Sequence, residues 1–378
     1  MSEKVKKLFT PAVWLFYLVI GVEIVYMISP FAIYYYSTYG PSLNFLHKLP
    51  QTAWLSGFFL PHYVKTSSFL LNHYQIVGWS LVIIGFLFFL VGAGQIYTTK
   101  LTKRGAVTGG IYKHIRHPQY VAFAVMGFGL LLAWPRFTVL IIYVTMLFVY
   151  FLLAKKEEQE CEQKFGESYK SYKAHTSMFI PGRFSFFDKF PGLPKSRVGR
   201  FAAVGLLYVL ALTVSVSAAF ALRNYSLSKI TTVSSENSVT ISADYMSEPE
   251  LQKIAQIALT DPDVALRIHQ AKNGRAEVYL NYVVPAEWYL PDVPIEKIPE
   301  GVHGHHQPKE YDRNKYKVLF TKAKVATKQL IQGRKIIKNA YGREPILLAY
   351  VDKAKGEVTA IKTPPRYVKW GDIPTPLF

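Results

Sequence analysis

The chain has one cysteine, Cys161, so neither an intramolecular disulfide nor a multi-cysteine metal site is open to it. It has no internal repeat and no low-complexity tract, which sets aside solenoids and long disordered tails. Charge is missing from two long stretches, Ile76 to Gly94 and Phe201 to Leu222. A bilayer core requires roughly 20 apolar residues in a helix. The first apolar stretch, Pro11 to Tyr36, is interrupted only by Glu23 and lacks a small-residue cleavage site. It reads as an anchor and not as a removed signal peptide. Acids are scarce relative to bases, 25 Asp and Glu against 44 Lys and Arg, for a formal charge of +19. A surplus of this size can signal nucleic acid, but here half the residues are hydrophobic and mean hydropathy is +0.13. Charge and grease are segregated along the chain, so membrane topology explains the basicity and no nucleic-acid partner is expected.

Between the two uncharged stretches, Tyr120 to Pro135 and Phe137 to Ala154 are shorter apolar runs separated by "WPR" (Trp134 to Arg136). So tight a break predicts a helical hairpin within the membrane. "LPQTAWLSGFFLPHYV" (Leu49 to Val64) is too short and too proline-broken for a span, and its aromatics suit an interfacial or re-entrant element. The expected fold is an α-helical integral membrane domain of about five spans, hairpin included, over 1–222, followed by a soluble α+β domain over 223–378. Basic residues cluster at Lys4, Lys6 and Lys7, over Lys100 to Arg116 and over Lys155 to Arg200, whereas Ser37 to His73 carries only Lys48 and Lys65. The positive-inside rule places the N-terminus and both basic loops in the cytoplasm. Five crossings then make the C-terminal domain exoplasmic.

In that domain "NSVTISADY" (Asn237 to Tyr245) and "AEVYLNYVV" have strand character. Ser247 with Glu250 three residues on is a capping-box start for a helix, and "DPD" (Asp261 to Asp263) ends that helix and begins another. Val318, Leu319, Val325, Leu330, Ile336 and Ile337 predict an amphipathic helix over Lys317 to Tyr341, with a basic face that includes Lys324, Lys328 and Lys335. "PILLAYVDKAKGEVTAIKT" predicts a hairpin turning at Lys355-Gly356. The cluster "HGHH" holds His303, His305 and His306. Imidazoles at close spacing bind zinc or copper, but the spacing supplies no further ligands, so a solvated loop is favoured and no metal is expected.

The informative stretch is "HIRHPQY" (His114 to Tyr120), where an imidazole stands at the mouth of an apolar helix. Pro118 suits the first helical turn, with His117 just before it and Tyr120 about a turn along. Free N–H groups at such a helix end favour anions. Upstream, "TGGIY" (Thr108 to Tyr112) lets backbone approach a ligand and then presents a ring. The hairpin returns Glu157 and Glu158 to the same membrane face. Polar groups gathered at membrane depth are costly and therefore usually functional. "GAG" (Gly92 to Gly94) lies within a span and lacks the context of a nucleotide motif.

"VTGGIYKHIRHPQYVAF", the hairpin, and "EEQECEQKFGESYKSYKAHTSMFIPG" together resemble the isoprenylcysteine carboxyl methyltransferase family, from about Ile76 to Gly182. The resemblance does not reach the C-terminal domain, whose partner it leaves open. It implies a membrane methyltransferase of the carboxyl O-methyl type using S-adenosyl-L-methionine at the cytoplasmic face, with a lipophilic or prenylated acceptor arriving from the bilayer. It also implies that Val107, Tyr112, His117, Pro118, Tyr120, Glu157 and Glu158 contact the cofactor, with His117 a conceivable base. Arg116 and Lys156 are the candidates for substrate. Prenylcysteine methylases carry an arginine shortly before the acidic pair. Here Leu153-Ala154-Lys155-Lys156 stands in that stretch, and lysine lacks the planar fork that grips a carboxylate. Two other readings fit parts of the chain: a non-enzymatic anchor presenting an exoplasmic binding domain, and a sterol-reductase-like oxidoreductase using NADPH. The latter's motif tends toward R-H-x-N-Y and is not matched by RHPQY.

Overall fold

A computed structural model describes residues 46, 49–101, 107–182, 196–272, 277–290, 306–325 and 331–364. The span predicted over Pro11 to Tyr36, Lys328, His303 and His305 lie outside these residues. The chain divides into two compact units. One takes the described residues within Val77–Leu132 and Ile141–Thr213; the other takes those within Thr38–Ile76, Ala133–Leu140 and Val214–Phe378.

Long helices dominate the first part of the chain: α1 (Phe69–Leu101), α2 (Pro118–Ala133), α3 (Phe137–Phe165), the short α4 (Glu167–His175) and α5 (Arg197–Ser228). Among the described residues, three are long and apolar enough to cross a membrane, over Phe69–Thr99, Phe137–Phe165 and Val198–Ser228. Ile83, Ile84, Phe86 and Leu87 on α1 and Phe201, Leu206 and Leu210 on α5 are all at least half exposed. Large apolar surface of this extent marks contact with something other than water, here lipid. The hairpin predicted around WPR is present, with α2 ending at Ala133 and α3 starting at Phe137. At 16 residues, α2 is about 24 Å long, short of a hydrocarbon core of about 30 Å.

Small residues let α1 and α2 meet closely. A Cβ on Gly129 would lie 2.5 Å from the Gly78 carbonyl oxygen and 2.8 Å from the Val82 nitrogen. One on Gly85 would lie 2.7 Å from the Met126 nitrogen. Backbone against backbone at this range is how apolar helices associate in lipid, where burial supplies no driving force.

Leu49 to Val64 forms no span. It contains a 3-10 turn at Ala53–Ser56, and Phe58, Tyr63 and Val64 enter the core of the second unit. That unit is built on a six-stranded sheet in the order β1 (Thr232–Ser234), β2 (Ser238–Ser242), β3 (Tyr279–Pro285), β4 (Lys315–Val325), β5 (Ala340–Asp352) and β6 (Glu357–Lys362). Only β2 and β3 are parallel, joined through α6 (Glu248–Thr260) and α7 (Pro262–Gln270). Side chains alternate between the two faces. Leu280, Tyr282, Val284 and Leu319 pack on one side with Ile336 and Ile337 of the short α8 (Lys335–Asn339). Val283, Val318, Phe320 and Leu347 pack on the other with Leu251, Ile254 and Val264 of α6 and α7. Ser247 caps α6 by accepting from the Glu250 N–H, and Asp261 between the helices caps α7. The β5–β6 hairpin turns as predicted, with Gly356 at φ +73.

One prediction fails. The described residues of Lys317 to Tyr341 do not form the long helix expected: they belong to β4, to the short α8 and to the start of β5, with Lys324 on β4 and Lys335 on α8. The run Tyr316 to Thr321 is buried without interruption, the mark of a central strand covered on both faces. A run buried on both faces lacks the alternation that separates strand from helix by periodicity, and the selected positions fitted a helix by accident.

Substituting Gly129→Val forces the α1 and α2 backbones apart. The variant is expected to melt below wild type in detergent by an amount corresponding to at least about 1–3 kcal/mol, the usual cost of overpacking. An unchanged melting temperature would mean that this contact does not hold the helices.

Candidate functional site

The residues singled out around RHPQY converge in the first unit. α2 begins at Pro118, so His117 sits at its mouth and Tyr120 one turn in. Glu157 and Glu158 lie on the last turns of α3. The chain that follows α4 is held against the α2 entrance by a short parallel pairing in which Ile115 faces Ser177. The Arg116 N–H donates to the Ser177 carbonyl at 2.9 Å and the His117 N–H to the Met178 carbonyl at 3.2 Å.

The two adjacent carboxylates have different surroundings. Glu158 is buried, its side chain 1% exposed, and it receives Arg116 Nε at 2.7 Å and Lys173 Nζ at 3.1 Å. Lys173 also pairs with Glu162 at 2.6 Å, and the Arg116 guanidinium donates to the carbonyls of Lys173 and Thr176. Glu157 keeps 42% of its side chain exposed and accepts a hydrogen bond from the Tyr120 hydroxyl. Between them lies His117, with Nδ1 3.4 Å from Glu157 and Nε2 3.6 Å from Glu158. Burial works against a charged imidazole here, but the hydrogen bonds and fields of Glu157 and Glu158 prevail and raise its pKa above the ordinary histidine value. The ring is therefore held toward its protonated form.

Aromatic rings extend from this cluster. His117 stacks parallel to Tyr120 at 5.6 Å, Tyr120 stacks on Tyr150 at 4.7 Å, and Phe179 lies 5.9 Å from His117. Tyr120, Tyr150 and Phe179 also line an apolar cavity of about 570 Å³ that continues between α1, α2 and α3 past Val125 and Leu147. Tyr120 thus has its hydroxyl on a carboxylate and its ring on an apolar wall.

Tyr112 is buried, with its hydroxyl 3.4 Å from the Gly92 carbonyl and its own carbonyl accepting from the Tyr172 hydroxyl at 2.6 Å. Gly110, at φ +61, lets the preceding loop turn against Gln95, and Gln95 accepts from the Ile111 N–H. Val107 is half-buried in that loop. Arg116, expected to face substrate, is engaged by Glu158 and by backbone carbonyls. Lys156 is exposed and pairs with Glu160 at 3.8 Å, a helix-surface contact. Lys173, Tyr150 and Phe179 were not anticipated. Tyr150 had a signal, since it shares a face of α3 with Ala154 and Glu158 at four-residue spacing. Lys173 had none, because its link to Glu158 is tertiary. In the second unit His306 is exposed and its backbone pairs with Tyr289. Among the described residues no group of His, Cys, Asp and Glu is placed to hold a metal.

Residues 73–168 match the family model described as phospholipid methyltransferase, overlapping the stretch whose motifs resemble membrane methyltransferases. A protein of Bradyrhizobium diazoefficiens, methanethiol S-methyltransferase 1, is 30% identical over 123 residues, which cover 32% of this chain and 38% of that protein. The similarity therefore spans well under two thirds of the relative. The C-terminal domain lies outside the family match, and no solved structure matches the chain.

Because the folded-state pKa of His117 is raised, its contribution to stability is fully present below the unfolded value of about 6.5. It is lost as pH rises through the folded value. Melting curves of wild type and His117→Gln in detergent are expected to converge as pH rises from 6. A gap that stays constant or widens with pH would show that the imidazole is not held in its charged form.

Proposed function

We propose that the chain is a membrane methyltransferase that takes its methyl group from S-adenosyl-L-methionine bound at the His117–Glu157 cluster. The observation that carries this reading is the half-exposed carboxylate of Glu157, set between the Tyr120 hydroxyl and His117 beside stacked aromatic rings. The cofactor carries an ammonium, a carboxylate and a sulfonium. A partly exposed carboxylate suits the ammonium, aromatic faces stabilise a sulfonium by roughly 0.5–2 kcal/mol, and the start of α2 favours the carboxylate. Bound there, the cofactor would supply an electrophilic methyl group. The protein's own part is alignment, which accounts for much of the acceleration in a direct displacement.

Val107, Tyr112 and Pro118 shape the wall beside this cluster. Glu158 acts indirectly: held by Arg116 and Lys173, it ties the α2 entrance to α3 and fixes the orientation of His117. The cavity past Tyr120 and Tyr150 receives the apolar part of the acceptor. Its lining is almost wholly hydrocarbon and aromatic, unsuited to a free charged group. His117 faces carboxylates through both nitrogens, and their hydrogen bonds and fields favour its protonated form, which suits positioning better than proton abstraction. An acceptor whose nucleophile is already anionic, a carboxylate or a thiolate, needs no base. The carboxyl type suggested by the motif fits this rule, and so does the sulfur acceptor named for the bacterial relative. The site faces the cytoplasm under the positive-inside rule, and the domain after α5 lies one crossing away, on the exoplasmic side.

Equilibrium dialysis with radiolabelled cofactor separates the two acids. Glu157→Gln is expected to weaken binding by about 10–100-fold, the loss of one charge-assisted contact of about 1.5–3 kcal/mol, while its melting temperature stays near wild type. Glu158→Ala is expected to melt well below wild type, since breaking a buried pair costs about 3–5 kcal/mol. Wild-type affinity in a folded Glu157→Gln variant would rule out the assigned pocket.

Orientation is tested in Cys161→Ser carrying Lys355→Cys, a position exposed in the β5–β6 turn. A membrane-impermeant maleimide is expected to label it from the exoplasmic side of intact cells. Labelling only after permeabilisation would invert the topology.

A further inference from the structure

The second unit holds a group of buried hydrogen-bond donors that lack an acceptor, at the far end of α5. Arg223 is 8% exposed and its Nε has no hydrogen-bond partner. Ser226, three residues on and so on the same helix face, is fully buried and its hydroxyl is equally without a partner. A second buried guanidinium approaches the same place. Arg136, 3% exposed, lies over the Phe58 ring at 3.9 Å and donates to the Ser56 carbonyl at 2.5 Å. The neighbouring residue, Gly57, is where Arg223 arrives: a Cβ there would stand 3.7 Å from the Arg223 guanidinium.

A buried cation calls for negative charge, and the sequence around Arg223 offers none: there is no Asp or Glu between Asp188 and Glu236. Among the described residues Arg223 makes no ion pair. Buried charges are ordinarily paired, and guanidinium with hydroxyl is donor chemistry that matches a phosphate oxygen in geometry and sign.

The position along the helix identifies the surroundings. Arg223 lies five residues before the end of a candidate span at Ser228. Beside it Tyr225 is 49% exposed, and Trp134 in the hairpin turn is 40% exposed. Exposed tyrosine and tryptophan at span ends sit at the level of lipid headgroups.

We propose that Arg223, Ser226 and Arg136 form an anion site that takes a phosphate group at the membrane interface. The phosphate of an anionic lipid headgroup and free phosphate share this chemistry. The site is independent of the methyltransferase cluster, and its occupant would hold the hairpin turn and the end of α5 to the Ser56–Gly57 segment.

The test uses the full chain in neutral detergent, with thermal melting as readout. One arm titrates phosphatidylglycerol in mixed micelles against phosphatidylcholine; the other titrates inorganic phosphate against chloride at equal ionic strength. Saturable stabilisation by phosphatidylglycerol alone assigns a lipid headgroup, and stabilisation by both assigns free phosphate as sufficient. Arg223→Gln is expected to raise the midpoint of the titration by about tenfold or more, since it removes the charged donor. Should Arg223→Gln fail to fold, Arg223→Lys and Ser226→Ala retain the charge or remove only the hydroxyl, and each is expected to shift the midpoint severalfold. Absence of saturable stabilisation in both arms overturns the proposal. So does a midpoint unchanged in every folded variant.

Discussion

A carboxylate buried to 1% cannot be left without countercharge, and this requirement at Glu158 organises the membrane part of the chain. Its partners come from both sides of the hairpin: Arg116 from the segment before α2, Lys173 from α4. Each cation makes a second contact that fixes another piece of chain. Arg116 takes the carbonyls of Lys173 and Thr176, and Lys173 takes Glu162. The pairing of Ile115 with Ser177 then follows with little freedom left. Glu157, one residue earlier and rotated by about 100° on the helix, is left half exposed. Two identical side chains in sequence thus acquire opposite duties, one closing the structure and the other facing outward.

The apolar surroundings act on this arrangement in two ways. Charge interactions strengthen where water is thin, so the cluster gains from lying at the mouth of an apolar cavity. The short α2 also brings its own entrance close to the hydrocarbon boundary. A full-length span would put the same residues several ångströms further into the headgroups. Gly78, Gly85 and Gly129 reinforce this, because close approach of α1 and α2 narrows the cavity whose mouth is Tyr120.

The hairpin, the second-domain helices and the β5–β6 turn were legible in sequence because each rests on local chemistry: a Trp-Pro-Arg break, capping side chains at Ser247 and Asp261, a glycine at positive φ. Local rules did not resolve β4, where burial on both faces erased the alternation that distinguishes a strand. The site was legible in its members more than in its connections. His117, Tyr120, Glu157 and Glu158 meet because a hairpin returns the chain to the same end. Which acid would be buried and which cation would bury it depended on α4 folding back, and no spacing encodes that. Arg116 illustrates the difference: its type and position fitted substrate recognition, and tertiary structure gave it to Glu158.

Charge accounting shows how His117 would answer the cationic ligand proposed for this site. In the cluster Arg116, His117 and Lys173 stand against Glu157, Glu158 and Glu162, three against three, so the group is neutral only while the imidazole carries its proton. Arg116 and Lys173 are engaged with Glu158 and Glu162, which leaves His117 as the partner of the exposed acid. In the proposed binding mode an ammonium at Glu157 would compete with that imidazolium for the same oxygens. Its charge would offset the field that raises the His117 pKa. Cation binding and proton release at His117 would then be linked through one carboxylate, with Glu158 holding the ring in place.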